Sequence, residues 1–129
     1  FFDVACLKQI GWICFGVDKT SGIDLEKKYV SPKKPFDLFF SNYVIHKLKN
    51  PGRLVETAFN NLKSGGWFFL HTFNKTDKNS RSKLEKKQLT EMLKKQGFAG
   101  IDANVFSFYD NDPGHKHWHK ILEVSTRKS

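Results

Sequence analysis

Residues 36–48 have the sequence FDLFFSNYVIHKL, and residues 53–70 continue it as RLVETAFNNLKSGGWFFL. The first segment begins as an apolar strand at 36–40 and then turns polar at Ser-Asn-Tyr. In the second segment, apolar residues recur every four positions from Leu54 to Leu62, which is typical of a helix that packs on a sheet. Gly65-Gly66 ends that helix, and a second apolar strand follows at 67–73. The two segments therefore predict a strand–helix–strand unit.

The residues around this unit predict further elements. Residues 1–6 and 12–17 are short apolar runs, which predict two buried parallel strands. Residues 19–35 contain glycine and prolines and predict a connection with one helical turn at 25–29. The helix of the central unit is predicted to have Asn50 as its N-cap and Pro51 at its first position.

The C-terminal half predicts a helix and a hairpin. The predicted elements are a polar, mobile surface loop at 74–83, a helix at 84–96 with Gly97 as its left-handed cap, a strand at 101–109, a turn at 110–114 and a final strand at 117–126. The order strand, helix, strand, helix, strand and reversed strand predicts an α/β fold. Its sheet is Rossmann-like and mostly parallel, and the C-terminal hairpin strand is antiparallel.

The segment 36–70 resembles class I S-adenosylmethionine-dependent methyltransferases, in which "FDLVxSNxxLHHL" precedes a helix and a "LKPGGxFxL" strand. The resemblance extends through 36–128 by order of elements. It implies one methyltransferase-like domain over 1–129, with 1–35 as its cofactor-binding part. It also implies S-adenosylmethionine as cofactor and methyl transfer to an unidentified acceptor, either a small molecule or an anionic macromolecule.

The resemblance also assigns roles to individual residues. The run Phe15-Gly16-Val17-Asp18 is similar to the family's strand ending in "GVD", which implies that Gly16 and Asp18 bind the cofactor and that the Asp18 carboxylate holds the ribose. The alternative is a surface acid that opens the turn 18–22. Ser41, Asn42 and Tyr43 are implied to line the methionine end of the cofactor.

His46 follows the Ser-Asn-Tyr turn and is the candidate catalytic residue. An imidazole titrates near neutral pH, so His46 is suited to act as a general base. The alternative is a histidine on a helix surface or one that supports the site from behind. His71, inside the strand 67–73, is interpreted as a hydrogen-bonded core histidine.

The first 35 residues depart from the family pattern. Leu7, Lys8, Gln9 and Ile10 stand where the family has alternating glycines, and bulky side chains there would occupy the cofactor's space. The spacing between the two N-terminal apolar runs is also too short for a crossover helix, which needs about a dozen residues. The expected fold is therefore degenerate or truncated relative to the family. Because the chain begins with Phe1 rather than Met, we expect it to be a fragment.

Composition limits the classes of partner. The chain has 129 residues and an excess of Lys and Arg over Asp and Glu of 22 − 13 = 9, which favours anionic partners such as RNA. A second hypothesis is therefore a non-catalytic methyltransferase-like module that binds RNA or a protein through its basic surface. No apolar run reaches the roughly 20 residues that cross a bilayer, so we expect a cytoplasmic protein without membrane contact. An exposed strand edge left by missing elements would favour a homodimer.

Cysteines and clustered histidines raise the question of metal. Cys6 and Cys14 are too few for a disulfide framework or a thiolate metal site, and they are expected to be buried, reduced thiols. His115, His117 and His119 alternate, so a strand would place them on one face, where a metal could bind. The favoured interpretation assigns no metal. In it the histidines form a solvated face, while Trp118, Leu122 and Val124 pack on the other side.

Overall fold

The computed structural model describes residues 2–114 and 116–129. These residues form the following elements in chain order: α1 (Phe2–Gln9), β1 (Phe36–Asn42), α2 (Gly52–Asn61), β2 (Leu62–Phe73), α3 (Lys86–Gln96), β3 (Phe98–Asp110) and β4 (His117–Lys128). Short 3-10 helices occur at Lys19–Ser21 and Ile45–Lys47. From residue 36 onward the order of elements is the predicted one.

The four strands form one sheet in the order β1-β2-β4-β3. β1 and β2 are parallel, whereas β4 runs antiparallel to both β2 and β3. Three strands therefore point one way and β4 points the other way between them, which confirms the predicted α/β sheet with its antiparallel hairpin strand. Because β1 and β2 are parallel, their carboxyl ends meet at one edge, where Asn42 is paired with His71.

The core lies between this sheet and the helices α2 and α3. α2 contributes Leu54, Val55 and Ala58 from one stripe, as the four-residue repeat predicts. The main buried side chains from the other elements are Ile45, Leu62, Phe68, Leu70, Leu84, Leu89, Leu93, Phe98, Leu122 and Val124.

The ends of the two core helices differ in how well they were predicted. α2 begins at Gly52 with Pro51 as its N-cap, and no side chain caps it, so the predicted Asn50 cap is wrong. At the end of α3, Gly97 has a φ of 115° and donates its N–H to the carbonyls of Leu93 and Lys94. The left-handed glycine cap is therefore confirmed.

The two strands predicted in the first 17 residues are wrong. Phe2–Gln9 form α1, and residues 12–17 have no regular secondary structure. Asp3 in the first turn and Lys8 in the last turn complement the helix dipole. The link between the two segments is too short to bring them side by side as parallel strands, so neither gains a neighbour in the sheet. At 25–29 a turn closed by the Lys27 N–H and the Asp24 carbonyl replaces the predicted helical turn.

The N-terminal segment is also less buried than predicted. Cys6 is exposed and Cys14 is half-buried, so the expectation of two buried thiols is wrong. Four large apolar side chains of the same segment are exposed as well, namely Ile10, Trp12, Ile13 and Phe15. None of the helices in the described part of the chain has both the length and the apolar character needed to span a bilayer.

The polar loop after β2 is anchored rather than a free surface segment. Asn74 donates its N–H to the Lys120 carbonyl, and Lys75 donates to the Leu84 carbonyl. The Asp77 side chain is fully buried and binds His119 and the N–H of Lys120 in β4. The prediction of a mobile surface loop at 74–83 is therefore wrong around Asp77, because the polar groups there form hydrogen bonds with the first residues of β4 instead of with water.

Candidate functional site

Ser41, Asn42 and Tyr43 lie together where β1 ends, at the carboxyl edge that it shares with β2. Ser41 is buried, and its hydroxyl has no hydrogen-bond partner among the described residues. A buried hydroxyl without a partner is uncommon and costs about 1–3 kcal/mol. Asn42 is exposed and donates its side-chain amide to Asp3 of α1 at 3.2 Å.

Tyr43 adopts a left-handed backbone with a φ of 57°. This conformation is unfavourable for a residue with a side chain by about 1–2 kcal/mol. The Tyr43 N–H donates to the His71 carbonyl at 2.7 Å, which holds the turn against β2. Its ring stacks on His71 at 6.4 Å between centroids and lies 4.9 Å from the ring of Phe73. Burial, and then the charge of Glu123, raise the pKa of Tyr43, so its phenol stays neutral.

His46 lies beside the same edge, in the 3-10 helix that follows β1. Its ring contacts Phe73 at 5.1 Å, and its Nδ1 atom lies 2.9 Å from the hydroxyl oxygen of Thr72. Burial, reinforced by the charge of Lys47, lowers the pKa of His46, although Asp77 acts in the opposite direction. The imidazole is therefore neutral at pH 7. In the tautomer in which Nδ1 donates its hydrogen to the Thr72 hydroxyl oxygen, Nε2 has the lone pair that can take up a proton.

His71 is not the core histidine that the sequence suggested. Its side chain is 43% exposed, and its Nε2 atom lies 3.1 Å from the carboxylate of Glu123 on β4. His71 lies on a face of the sheet that the Tyr43 ring covers only in part.

Gly16 and Asp18 are not joined to this edge by any hydrogen bond among the described residues. The Oδ1 atom of Asp18 accepts hydrogen bonds from the N–H and hydroxyl of Thr20 and from the N–H of Ser21. The Thr20 hydroxyl, together with the backbone donors, lowers the pKa of Asp18. The carboxylate thus closes its own turn, as in the alternative interpretation, and its ribose role stays a prediction.

A cleft of about 310 Å³ lies next to His46. Three cationic side chains line it, namely Lys49, Arg81 and Lys83. None of the three forms a salt bridge with a carboxylate in the part of the chain that the structure describes. The cleft therefore combines a neutral imidazole with uncompensated positive charge, which favours an anionic ligand.

Asp110, His117 and His119 lie together beside the turn of the β3–β4 hairpin. His115 lies outside the described residues, and its place on the same face stays a prediction. Trp118 is 63% exposed instead of packing with Leu122 and Val124, which corrects that part of the prediction. It lies over Tyr109 at 5.2 Å between ring centroids.

Residues 3–112 match the family described as "Methyltransferase domain". The match includes β1, β2, α2, α3 and the whole carboxyl edge described above. The chain belongs to the methyltransferase domain family. The resemblance of residues 36–70 to S-adenosylmethionine-dependent methyltransferases is thereby confirmed. No curated protein is significantly similar to this methyltransferase domain in sequence.

Solved structures share the fold of this methyltransferase domain at low sequence identity. A SAM-dependent methyltransferase of Thermotoga maritima is 15% identical with a TM-score of 0.60, over 86% of this chain and 67% of that one. Phosphoethanolamine N-methyltransferase 2 of Haemonchus contortus, in complex with S-adenosyl-L-methionine, is 17% identical with a TM-score of 0.63. This comparison covers 82% of this chain but only 36% of the Haemonchus enzyme, so the methyltransferase domain spans about a third of that protein.

A third neighbour limits what the fold can say about the reaction. The [4+2]-cyclase SpnF is 15% identical with a TM-score of 0.62, over 97% of this chain and 61% of that one. Its name describes a cyclisation, so the shared fold does not by itself fix the chemistry.

The cofactor that the family implies fits one part of the methyltransferase domain. The carboxyl edge of β1 suits the methionine end of S-adenosylmethionine, because the buried Ser41 hydroxyl lacks a partner and Asn42 is exposed beside it. Residues 2–18 do not fit the rest of the cofactor. α1 occupies the place of the expected strand and glycine turn, and the Asp18 carboxylate is engaged in its own turn.

Several residues of this site were not predicted from the sequence. Thr72 and Phe73 belong to an apolar strand and carry no local sign of a role, and Asp77 and Arg81 lie in a polar loop that predicts only surface. The signal available for Thr72 was its place at the carboxyl end of β2, where ligands bind in open α/β sheets.

Proposed function

We propose that this domain catalyses S-adenosylmethionine-dependent methyl transfer to an anionic acceptor, with the reaction at the carboxyl edge of β1 and β2. The observation that carries the proposal is the convergence of Ser41, Asn42, Tyr43 and His46 at this edge, in a chain that belongs to a methyltransferase family. In an open α/β sheet, ligands bind beyond the carboxyl ends of the parallel strands.

The cofactor supplies an electrophilic methyl group when it is bound. The residues of this chain hold and orient what surrounds it. The Ser41 hydroxyl offers a hydrogen bond in a buried position, and Asn42 offers an amide at the surface. The rings of Tyr43 and Phe73 lie 4.9 Å apart beside these two residues and add an apolar surface to the edge. Positioning of this kind supplies much of the rate enhancement when two reactants must meet in line.

His46 is proposed to take a proton from the acceptor. Its lowered pKa keeps the imidazole neutral, which a general base requires at neutral pH. The hydrogen bond to Thr72 at 2.9 Å fixes the ring. The adjoining cleft supports the choice of acceptor, since Lys49, Arg81 and Lys83 would attract a phosphate or another anion.

The first test is titration calorimetry of the intact chain with S-adenosylhomocysteine. We expect binding, and we expect Ser41→Ala to weaken it about 5- to 10-fold, the worth of one hydrogen bond. Ser125→Ala in β4 is the matched control, because it removes a hydroxyl from the same sheet away from this edge. Asp18→Ala tests whether the carboxylate contacts the ribose in spite of its turn.

Either outcome of this titration is informative. Failure of the intact chain to bind would contradict the proposed enzyme and favour the non-catalytic module that binds RNA or a protein. Equal losses in Ser41→Ala and Ser125→Ala would place the cofactor elsewhere on the domain.

A further inference from the structure

We propose that Asp110, His117 and His119 form a binding site for a divalent transition metal of the zinc type. Each residue offers one ligand atom, and these atoms all lie within 4.8 Å of one another. The set contains two imidazoles and one carboxylate, which are ligands that Zn²⁺ binds readily. The inference is independent of the proposed methyl transfer.

The strand register brings the three side chains together. Asp110 and His117 form the last pair of the β3–β4 ladder, so they lie directly opposite each other. His119 follows two residues later and therefore shares a face with His117. The two imidazole rings lie 4.3 Å apart between centroids. The arrangement is thus fixed by backbone pairing and not by the chance approach of loops.

A buried carboxylate orients one of the two imidazoles. The Asp77 side chain is fully buried, and its Oδ2 atom lies 2.9 Å from Nδ1 of His119, whose side chain is 12% exposed. Its two oxygens also accept the backbone N–H groups of Asn79 and Lys120. Asp77 thus acts as an acceptor toward all three partners, and the hydrogen of its bond with His119 resides on Nδ1.

This pairing leaves Nε2 of His119 to face a ligand. A carboxylate that accepts the far N–H of a metal-binding histidine is the usual supporting group in zinc sites, since it fixes the tautomer and the orientation of the ring. Asp77 is anchored for this purpose, because its two oxygens also accept the N–H groups of Asn79 and Lys120, both at 2.8 Å.

The separations suit a site that closes on its ion. Tetrahedral zinc with bonds of about 2.0–2.2 Å places its ligand atoms roughly 3.4 Å apart. Atoms within 4.8 Å reach that spacing by movements of about 1 Å, which side-chain rotation supplies. Three protein ligands leave a further coordination position for water or for an oxygen of a bound molecule.

The proposed site adjoins the candidate active site. The ring of Phe73 lies 4.8 Å from that of His119 and 5.1 Å from that of His46. One aromatic side chain therefore separates the two, and a metal there would order the edge of the sheet on which the methyl acceptor is proposed to bind.

The test is titration of the metal-free intact chain with Zn²⁺ by calorimetry in the presence of a competing chelator, repeated with Co²⁺ by visible absorption. We expect one equivalent of Zn²⁺ per chain and the intense absorption of low-coordinate Co²⁺. His117→Ala should abolish this stoichiometric binding and the Co²⁺ spectrum. His71→Ala is the matched control, because it removes a half-exposed histidine that lies outside the cluster.

A second variant examines the support. Asp77→Asn should weaken Zn²⁺ binding about 10- to 100-fold, as loss of such a carboxylate does in other zinc sites. Circular dichroism would verify that each variant is folded. The proposal is overturned if the intact chain binds no stoichiometric Zn²⁺, or if His117→Ala binds it as tightly as the intact chain does. Neither result bears on binding of S-adenosylhomocysteine.

Discussion

The Nδ1 atom of His46 lies 2.9 Å from the hydroxyl oxygen of Thr72, and this contact joins the segment after β1 to the end of β2. It holds the imidazole at the carboxyl edge of the parallel pair, where it is partly removed from water. The stability of the fold is therefore expected to depend on pH through His46.

We expect His46 to titrate below its ordinary pKa of 6.5, because burial and the charge of Lys47 disfavour its protonated form. The folded-state pKa is depressed, so the stability that this group contributes is present above pH 6.5 and is lost as the pH falls through the folded pKa. Histidine NMR signals would give the pKa, and Lys47→Gln should raise it. A His46 pKa at or above 6.5 in the intact chain would contradict the neutral-base assignment.

We expect the cleft beside His46 to attract polyanions through Arg81 and Lys83. The double charge reversal Arg81→Glu with Lys83→Glu should weaken the binding of a labelled oligouridylate and lower its salt dependence by roughly 0.7 per lost phosphate contact. Fluorescence anisotropy across a salt series measures both quantities. The control reverses Lys33 and Lys34, two exposed lysines just before β1 at the opposite end of the sheet. Equal losses in the two double variants would show that overall charge, and not the cleft, governs binding.

We expect Asp77→Ala to destabilise the fold by about 3 kcal/mol, because it leaves a buried imidazole and two backbone N–H groups without their acceptor. The folded pKa of Asp77 is lowered, so its contribution is present above the unfolded value near 3.8 and is lost as the pH falls through the folded pKa. Urea unfolding at pH 7 and at pH 3 measures both effects. A variant as stable as the parent chain at pH 7 would refute the structural role of this carboxylate.

Alanine variants of Gly97 and Gly100 distinguish the cost of backbone strain from the cost of a steric clash. Both have positive φ angles, 115° and 60°, so alanine at either position is strained by about 1–2 kcal/mol. A Cβ atom at Gly97 would also lie 2.9 Å from the ring of Phe59, whereas Gly100 has open space. We expect Gly97→Ala to cost about 3 kcal/mol and Gly100→Ala about half as much. Chemical denaturation measures the difference, and equal losses would show that the Phe59 ring moves aside without cost.

The local pattern of the sequence was sufficient to predict the elements from residue 36 onward. Leu54 and Ala58 of the repeat mark the buried stripe of α2, and Gly97 marks the end of α3, because periodicity and backbone permissiveness depend on near neighbours in the chain. The predicted end of α2 at Gly65-Gly66 is wrong, since Leu62 and both glycines lie inside β2. The strands predicted from the apolar runs before residue 18 are wrong for a related reason. A strand exists only with a partner, and partner pairing is not a local property.

The location of the Ser41–Tyr43 turn at the edge of the sheet could likewise be predicted, since β1 and β2 are consecutive parallel strands. The contacts that the residues of this turn make could not be predicted. The left-handed backbone of Tyr43 and the contact of its ring with Phe73 depend on β2, which lies some thirty residues further along the chain.

By itself, then, the sequence determined the family, the sheet with its reversed last strand, and the segment where the candidate site would form. Only the tertiary structure decided that Asp77 supports His119, which lies 42 positions away in the sequence, and that the N-terminal segment is helical. It also decided that Lys49, which precedes α2, lines the cleft beside His46 together with Arg81 and Lys83, which precede α3. The physical reason is that hydrophobic period and turn chemistry are encoded over a few residues, whereas hydrogen bonds, charge clusters and strand partners between distant residues exist only after the chain has folded.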